Sequence, residues 1–328
     1  MPEHPIDLRD IYGARRRIAA LARRTPLVRS PALEARAGVP VYLKLECLQE
    51  TGSFKLRGAA NRLYSLTGPE KARGVIAVSS GNHGRAVAYV ARELGIHALI
   101  CVSSQVPPNK TEAIRSLGAE LIVAGETYDQ AELRSLELQE ERGLLSISPF
   151  DDPLVIAGQG TIGLELLEDL PDLDTVVVPL SGGGLISGIA LAVKAAHPAA
   201  RVIGASMERG PGMYLSLRAG RPVAVVEEET LADALAGGIG IDNRYTFELV
   251  QRYVDDVVLV SEEEIARAMA WALEVHHLVV EGGGAVGIAA LLHAKVPRLG
   301  QTAVVASGGN VAIPLLMRLV RQYGNTGD

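Results

Sequence analysis

Four short segments hold the residues with the richest chemistry. Thr51-Gly52-Ser53-Phe54-Lys55-Leu56-Arg57-Gly58 sets a lysine between a turn and a helix. Ser79-Ser80-Gly81-Asn82-His83-Gly84 ends the apolar run Val75–Ser79 and offers hydroxyls, an amide and backbone N–H groups where a helix opens. Ser181-Gly182-Gly183-Gly184-Leu185 follows the run Thr175–Pro179, and Ser307-Gly308-Gly309-Asn310 closes the run Thr302–Ser307. Consecutive glycines at a helix N-terminus let bare N–H groups converge on one anion, helped by the helix dipole. The Ser181–Leu185 loop therefore reads as a phosphate cup, with a tight strand-to-helix turn as the plainer alternative. It is neither a Walker loop nor a dinucleotide fingerprint, since it has no Gly-Lys-Ser/Thr and no G-x-G-x-x-G. The Ser80 loop suits a carboxylate or a cofactor oxygen, with His83 as a capping or packing residue rather than a base. The Ser307 loop is either a plain turn or a hydroxyl aimed into the same cleft.

A lone lysine is usually a solvated surface group. Beside a phosphate cup, an amide loop and a serine-tipped strand, Lys55 has what pyridoxal 5'-phosphate (PLP) chemistry needs, with the cofactor held as a Schiff base.

The elements that must carry these loops are short. Val75–Ser79, Ala98–Val102, Glu120–Val123, Thr175–Pro179, Val202–Ser206 and Thr302–Ser307 are β-branched runs, several apolar throughout, as in parallel strands buried on both faces. Helical segments lie between them. Gly95 and Gly118 fall where helix C-terminal glycines belong, and Ser261 with Glu264 forms a capping-box pair. The alternation predicts an α/β fold with parallel sheets, and ligands in such sheets gather at the carboxyl ends of strands. A length of 328 residues favours two lobes, with Pro149 and Pro153 marking the passage from the first set of βα units to the second.

Composition narrows the classes. A net charge of −6 argues against nucleic acid as a partner. No stretch reaches the ~18 apolar residues of a membrane helix, and Met1–Asp10 lacks the apolar core of a signal peptide. Cys47 and Cys101 sit in strand-like runs, which fits buried thiols in a reducing, cytoplasmic setting. Arg15, Arg16, Arg17, Arg23 and Arg24 read as a solvated helix face, or else as an interface or a weak anion site.

Ser53-Phe54-Lys55-Leu56-Arg57-Gly58, Ser80-Gly81-Asn82-His83-Gly84, the Ser181–Gly184 loop and Ser307-Gly308-Gly309-Asn310 together resemble the fold-type II PLP enzymes, specifically their threonine dehydratase and serine racemase branch. The motifs occur in order between about residues 10 and 320. The resemblance implies a tryptophan synthase β-like fold of two parallel-sheet domains. Residues 1–70 and 148–328 would form a large PLP-binding domain and 71–147 a small mobile one, with the cofactor in the cleft between them. It implies Lys55 as the cofactor-bearing lysine and later the base at Cα, and Phe54 packed near the ring. Asn82 would donate to the 3'-oxygen, Ser181, Gly182, Gly183, Gly184 and Leu185 would bind phosphate, and Ser307 would meet the pyridine nitrogen. Ser80 stands at the racemase branch's second acid/base position, and the backbone of Ser80, Gly81, Asn82 and His83 would hold the substrate carboxylate. The implied activity is loss of water from a β-hydroxy-α-amino acid by a homo-oligomeric, cytoplasmic lyase. A threonine/serine ammonia-lyase or racemase is the alternative, and a PLP-binding regulator without turnover is the reading from another class.

Three positions depart from the family pattern. Ser181 replaces the usual first glycine of the cup. The Ala-Asp-Gly motif appears as Ala232-Asp233-Ala234, followed by Gly237-Gly238-Ile239-Gly240. Ser206 and Gly212 stand where the racemase branch has cation-binding carboxylates, so no metal site is expected. The Ser206–Gly210 segment and Leu231–Phe247, containing Gly240-Ile241-Asp242-Asn243-Arg244-Tyr245, resemble hydroxyectoine-utilisation dehydratases, which would imply a larger substrate with an amine facing Asp242.

Overall fold

The computed structural model describes residues 6–79, 81–106, 108–126 and 128–324. Ser80 lies outside the described residues. Among the described residues ten strands form two sheets. They are β1 (Leu27–Arg29), β2 (Val41–Lys44), β3 (Val75–Val78), β4 (Ala98–Val102), β5 (Glu120–Val123), β6 (Leu145–Ser146), β7 (Thr175–Pro179), β8 (Arg201–Met207), β9 (Asp256–Val260) and β10 (Thr302–Val305). The larger sheet runs β1-β2-β10-β7-β8-β9 and the smaller β5-β4-β3-β6. All pairings are parallel except β1 with β2. The expected parallel sheets are there, with one antiparallel edge.

The helices α1 (Leu8–Ile18), α2 (Pro31–Ala37), α3 (Lys55–Tyr64), α4 (Gly68–Arg73), α5 (Asn82–Leu94), α6 (Pro108–Arg115) and α7 (Tyr128–Arg142) fill the first half. They are followed by α8 (Pro153–Asp169), α9 (Gly184–Ala196), α10 (Gly212–Ala219), α11 (Thr246–Tyr253), α12 (Glu262–His276), α13 (Gly282–Leu292) and α14 (Ile313–Tyr323). Their ends follow local chemistry. Gly95 closes α5 in the left-handed conformation, and the Ser261–Glu264 capping box opens α12, as read from the sequence.

Three expected strands change length, the run expected over 75–79 ending one residue early at Val78. The run expected over 202–206 extends by one residue at each end. The run expected over 302–307 stops at Val305, because the next carbonyls leave the sheet: Ala306 accepts from Cys47 N–H and Ser307 from Phe54 N–H. That departure is what joins the Lys55 turn to the end of β10. The arginine-rich segment is an exposed, paired face: Arg15 and Arg24 meet Glu168, Arg24 also meets Asp169, and Arg23 meets Glu50.

Helix α8 brings the site together by packing on both α3 and α9. The approach is at backbone distance. A Cβ on Gly158 would lie 2.6 Å from the Arg57 carbonyl, and one on Gly188 would lie 2.3 Å from the Ile156 carbonyl. Only glycine lets the two helices that begin at Lys55 and at the glycine cup flank one core helix so closely.

Candidate active site

Lys55 is the first residue of α3. The turn before it is sewn to the end of β10: Phe54 N–H donates to the Ser307 carbonyl at 3.0 Å and Gly309 N–H to the Gly52 carbonyl at 2.9 Å, with Ser53 and Gly308 bridged between them. The lysine and Ser307 are thus held on adjoining backbone. Lys55 Nζ donates to the Pro149 carbonyl at 2.7 Å and sits 5.2 Å from the centre of the Phe54 ring. Among the described residues no carboxylate pairs with it. The residue is half-buried, but its ammonium is deep enough that lost hydration pushes its pKa down to about 8. About a tenth of such a lysine is neutral at pH 7, against less than a thousandth of a solvated one.

The glycine cup follows β7. Gly183, with φ of +89°, is the N-cap of α9, and no side chain caps that helix. The first backbone N–H groups of α9 therefore lack the usual side-chain acceptor. Beneath the loop lies the Phe150 ring, only 2.4 Å from where a Cβ on Gly182 would stand. Phe150 adjoins the Pro149 carbonyl that holds Lys55. Next in the chain, Asp151 accepts backbone N–H bonds from Arg244, Tyr245 and Thr246 at 2.7–2.9 Å. This fixes the start of α11, where Thr246 lies against the open face of Gly183. One linker thus touches the lysine, the cup and the loop covering the cup.

Asn82 opens α5, and its side chain is shared between two partners. Its Nδ2 donates to Glu281 Oε1 at 2.5 Å and its Oδ1 accepts from Asn310 Nδ2 at 2.6 Å. Arg85 in turn donates to Asn310 Oδ1 at 2.8 Å. His83 is buried, with Nε2 2.9 Å from the Ile147 carbonyl. Burial and the Lys55 charge push its pKa down to about 3, so it is neutral and packs, as its sequence context suggested. Ser307 is buried, with only a long 3.5 Å contact from Oγ to the Gly283 carbonyl. Lys55, Phe54, Asn82, His83, Ser307 and the Gly182–Leu185 cup are all positioned by the strand ends and their linkers. Ser181 and Gly81 open two of those loops.

Glu281 and Asp151 are residues that motif reading missed, while Asn310 and Asp233 stood inside motifs without a role. Gly282-Gly283-Gly284 directly after Glu281 is a second glycine run at a helix start, and it carries the same signal as the cup. Burial raises the Glu281 pKa to about 7, only partly offset by the Asn82 hydrogen bond. Asp233 pairs with Lys110 of α6, a link from the smaller sheet's helices to the larger unit. Asp242, expected to face a substrate amine, is exposed. Ser206 is buried with its Oγ against the Met207 sulfur at 3.5 Å.

Beneath α3 lies a buried charge cluster. Arg57 makes paired hydrogen bonds to Glu46 (2.8 Å each) and to Glu165 (2.6 and 2.9 Å), and Lys44 reaches Glu165 at 2.6 Å. Burial disfavours the Arg57 charge, and the carboxylates of Glu46 and Glu165 more than reverse this, holding its pKa above the usual value.

A desolvated lysine without a counter-ion, an uncapped glycine loop and the buried, unpartnered Ser53 hydroxyl beside them fit PLP: an aldehyde for the amine and a phosphate for the N–H groups. Comparison with known proteins agrees. Residues 18–314 match the model of the pyridoxal-phosphate dependent enzyme family. The L-threonine ammonia-lyase of Thermotoga maritima is 45% identical over 97% of this chain and 79% of its own length. The L-threonine dehydratase catabolic TdcB of Escherichia coli K12 is 41% identical over 94% of both chains. Maize serine racemase superposes with a TM-score of 0.91 at 36% identity, over 98% of each chain. The chain belongs to the family of pyridoxal-phosphate dependent enzymes. Within it, it is a fold-type II lyase of the threonine dehydratase and serine racemase branch.

Proposed function

We propose that this enzyme removes water from a small β-hydroxy-α-amino acid, threonine or serine, and releases the 2-keto acid and ammonia. The observation that carries the reading is Lys55: a desolvated, unpaired amine joined through its own turn to Ser307 and through Pro149 to the linker beneath the glycine cup. PLP, when bound, supplies the electron sink that lets the substrate Cα–H bond ionise.

The protein's residues do the rest. The N–H groups of Gly182, Gly183, Gly184 and Leu185, with Ser181, anchor the phosphate at the start of α9. Phe54 flanks the ring. Asn82 donates toward the 3'-oxygen, and the neutral hydroxyl of Ser307 meets the pyridine nitrogen without protonating it. The Ser80–His83 loop offers N–H groups to the substrate carboxylate. Lys55 Nζ, as a neutral amine, would take the Cα proton, and the β-hydroxyl would leave as water with one proton. The resulting enamine is hydrolysed by one water, so the net change is loss of ammonia. Residues 71–147 form the small mobile domain over the cleft and 1–70 with 148–328 the large one, in a homo-oligomer.

A larger substrate bearing a distal amine, such as one derived from hydroxyectoine, is the second reading. Its carboxylate partner would be Asp242, or Asp233 near Glu281, which already pairs with Lys110.

Two measurements test the function. Threonine should yield 2-ketobutyrate and ammonia in equal amounts. Borohydride should fix PLP to Lys55 in the wild type, and Lys55→Ala should lose both the adduct and turnover by about 10³-fold or more. Peptide mapping that finds the adduct on another lysine would sink the assignment.

A further inference from the structure

Glu281 is a buried acid with no part in the dehydration described above. It precedes α13, and no cation touches it among the described residues. Its carboxyl lies close enough over Gly308 that a Cβ there would stand 2.1 Å from Oε1. It ends a directed chain of hydrogen bonds. Arg85 donates to Asn310 Oδ1 at 2.8 Å. Asn310 Nδ2 donates to Asn82 Oδ1 at 2.6 Å and to the Thr51 carbonyl at 2.8 Å. Asn82 Nδ2 then donates to Glu281 at 2.5 Å.

Every link sets the next. An amide whose oxygen is already accepting must present its nitrogen to the other side, so the Asn82 side chain has one orientation. Bonds in series also polarise one another inside a protein. Asn82 has two N–H donors, and Glu281 takes one of them. The relay further joins the two units of the fold, since Asn82 and Arg85 lie on α5 beside the smaller sheet while Asn310 and Glu281 follow elements of the larger.

We propose that Glu281 is a positioning residue for the cofactor: with Arg85 and Asn310 it locks the Asn82 amide, leaving one N–H for the cofactor's 3'-oxygen, and its own ionisation sets the charge felt at that end of the ring. This rests on the reading of Asn82 as a cofactor ligand. The groups facing Glu281 are Asp233 and Lys110, which pair with each other, Arg85 through Asn310, and the Cys47 thiol. Among these Asp233 raises and Lys110 lowers the Glu281 pKa, and burial, the largest influence, brings it to about 7. The switch therefore operates near neutral pH. An ionised Glu281 adds negative charge beside the ring and favours the protonated form of the bound chromophore.

The test is an absorbance–pH titration of wild-type, Glu281→Gln and Asn310→Ala holoenzymes, together with PLP rebinding to the apoproteins. Wild type should show an inflection near pH 7. Glu281→Gln should lose it while its PLP Kd stays within about threefold, because glutamine keeps the acceptor oxygen. Asn310→Ala, which alters no ionisable group, should weaken PLP by about tenfold and shift the inflection by about half a unit or more. The proposal is overturned if wild type shows no such inflection, if Glu281→Gln keeps it unmoved, or if Asn310→Ala matches wild type. If Glu281→Gln does not fold, the Asn310→Ala result decides alone. A wild-type protein that takes up no PLP would sink the cofactor reading instead, so the two failures are distinguishable.

Discussion

At the scale of single residues, Lys55 links stability to chemistry. Its folded pKa of about 8 lies below the ordinary value of 10.5. Between those values the unfolded chain binds more protons than the folded apoprotein, so Lys55 makes apoprotein stability rise with pH across that window. Below about pH 8 both states are protonated and the cost of burying the charge is fully present. Lys55→Met removes this dependence. Denaturant melts of both apoproteins should therefore show wild type gaining on the variant from pH 8 to 10.5, and a constant difference would mean the ammonium is better solvated than its surroundings imply. His83 is the contrasting case. Burial keeps it neutral at any working pH, and its bond to Ile147 ties the start of α5 to the segment after β6.

Among the elements, α3 needs an anchor because it carries the reactive lysine at its first turn. Arg57, two residues on, is that anchor: its guanidinium is shared by Glu46, just after β2, and Glu165, on α8. Such a cluster is a poor source of net stability compared with apolar packing, yet removing one partner strands buried charge. Arg57→Ala should cost about 3–5 kcal/mol in urea denaturation, with reduced PLP occupancy in the protein that still folds. A loss under about 1 kcal/mol would show that water relieves the stranded carboxylates. The second critical element is the linker from Pro149 to Asp151. Its consecutive contacts to Lys55, the cup and the start of α11 make it the spacer between the nucleophile and the phosphate end of the site.

For the molecule as a whole, two consequences concern what the cleft admits. By the resemblance to the racemase branch, Ser206 and Gly212 would stand where a hard cation needs carboxylates. Activity should therefore survive EDTA with little change, whereas a several-fold loss restored by Mg²⁺ would reveal a site elsewhere. The Asp233–Lys110 pair joins α6 to the segment before α11. A substrate pairing a distal amine with Asp233 would have to displace Lys110, which gives a small substrate the advantage. We expect kcat/KM for threonine to exceed that for 3-hydroxy-2,4-diaminobutyrate by tenfold or more, equivalent to about 1.4 kcal/mol of transition-state preference. The reverse order would restore the hydroxyectoine-type reading.

Local chemistry alone determined a good deal. β-branched apolar runs favour parallel strands, so β4, β5 and β7 were legible to the residue, although β5 lies half-buried at a sheet edge. A glycine run at a helix start announced the cup, glycines at a strand end announced the Ser307 loop, and Lys55 stood out by its motif. β1, β2, β6 and β9 did not. The first three are two to four residues long, and β2 is legible only once the sheet exists, since its Lys44 is buried by an ion pair and not by its own hydropathy. β9, Asp256–Val260, is not among the expected strands although its Val-Val-Leu-Val run carries the same signal as those that are. Glu281, Asp151 and Asn310 take their meaning from partners 93 to 228 residues away in the chain. No local pattern encodes such pairs. A buried carboxylate becomes a proton-holding group, a loop anchor or a plain surface acid according to what the folded chain sets against it, and only the tertiary structure decides that.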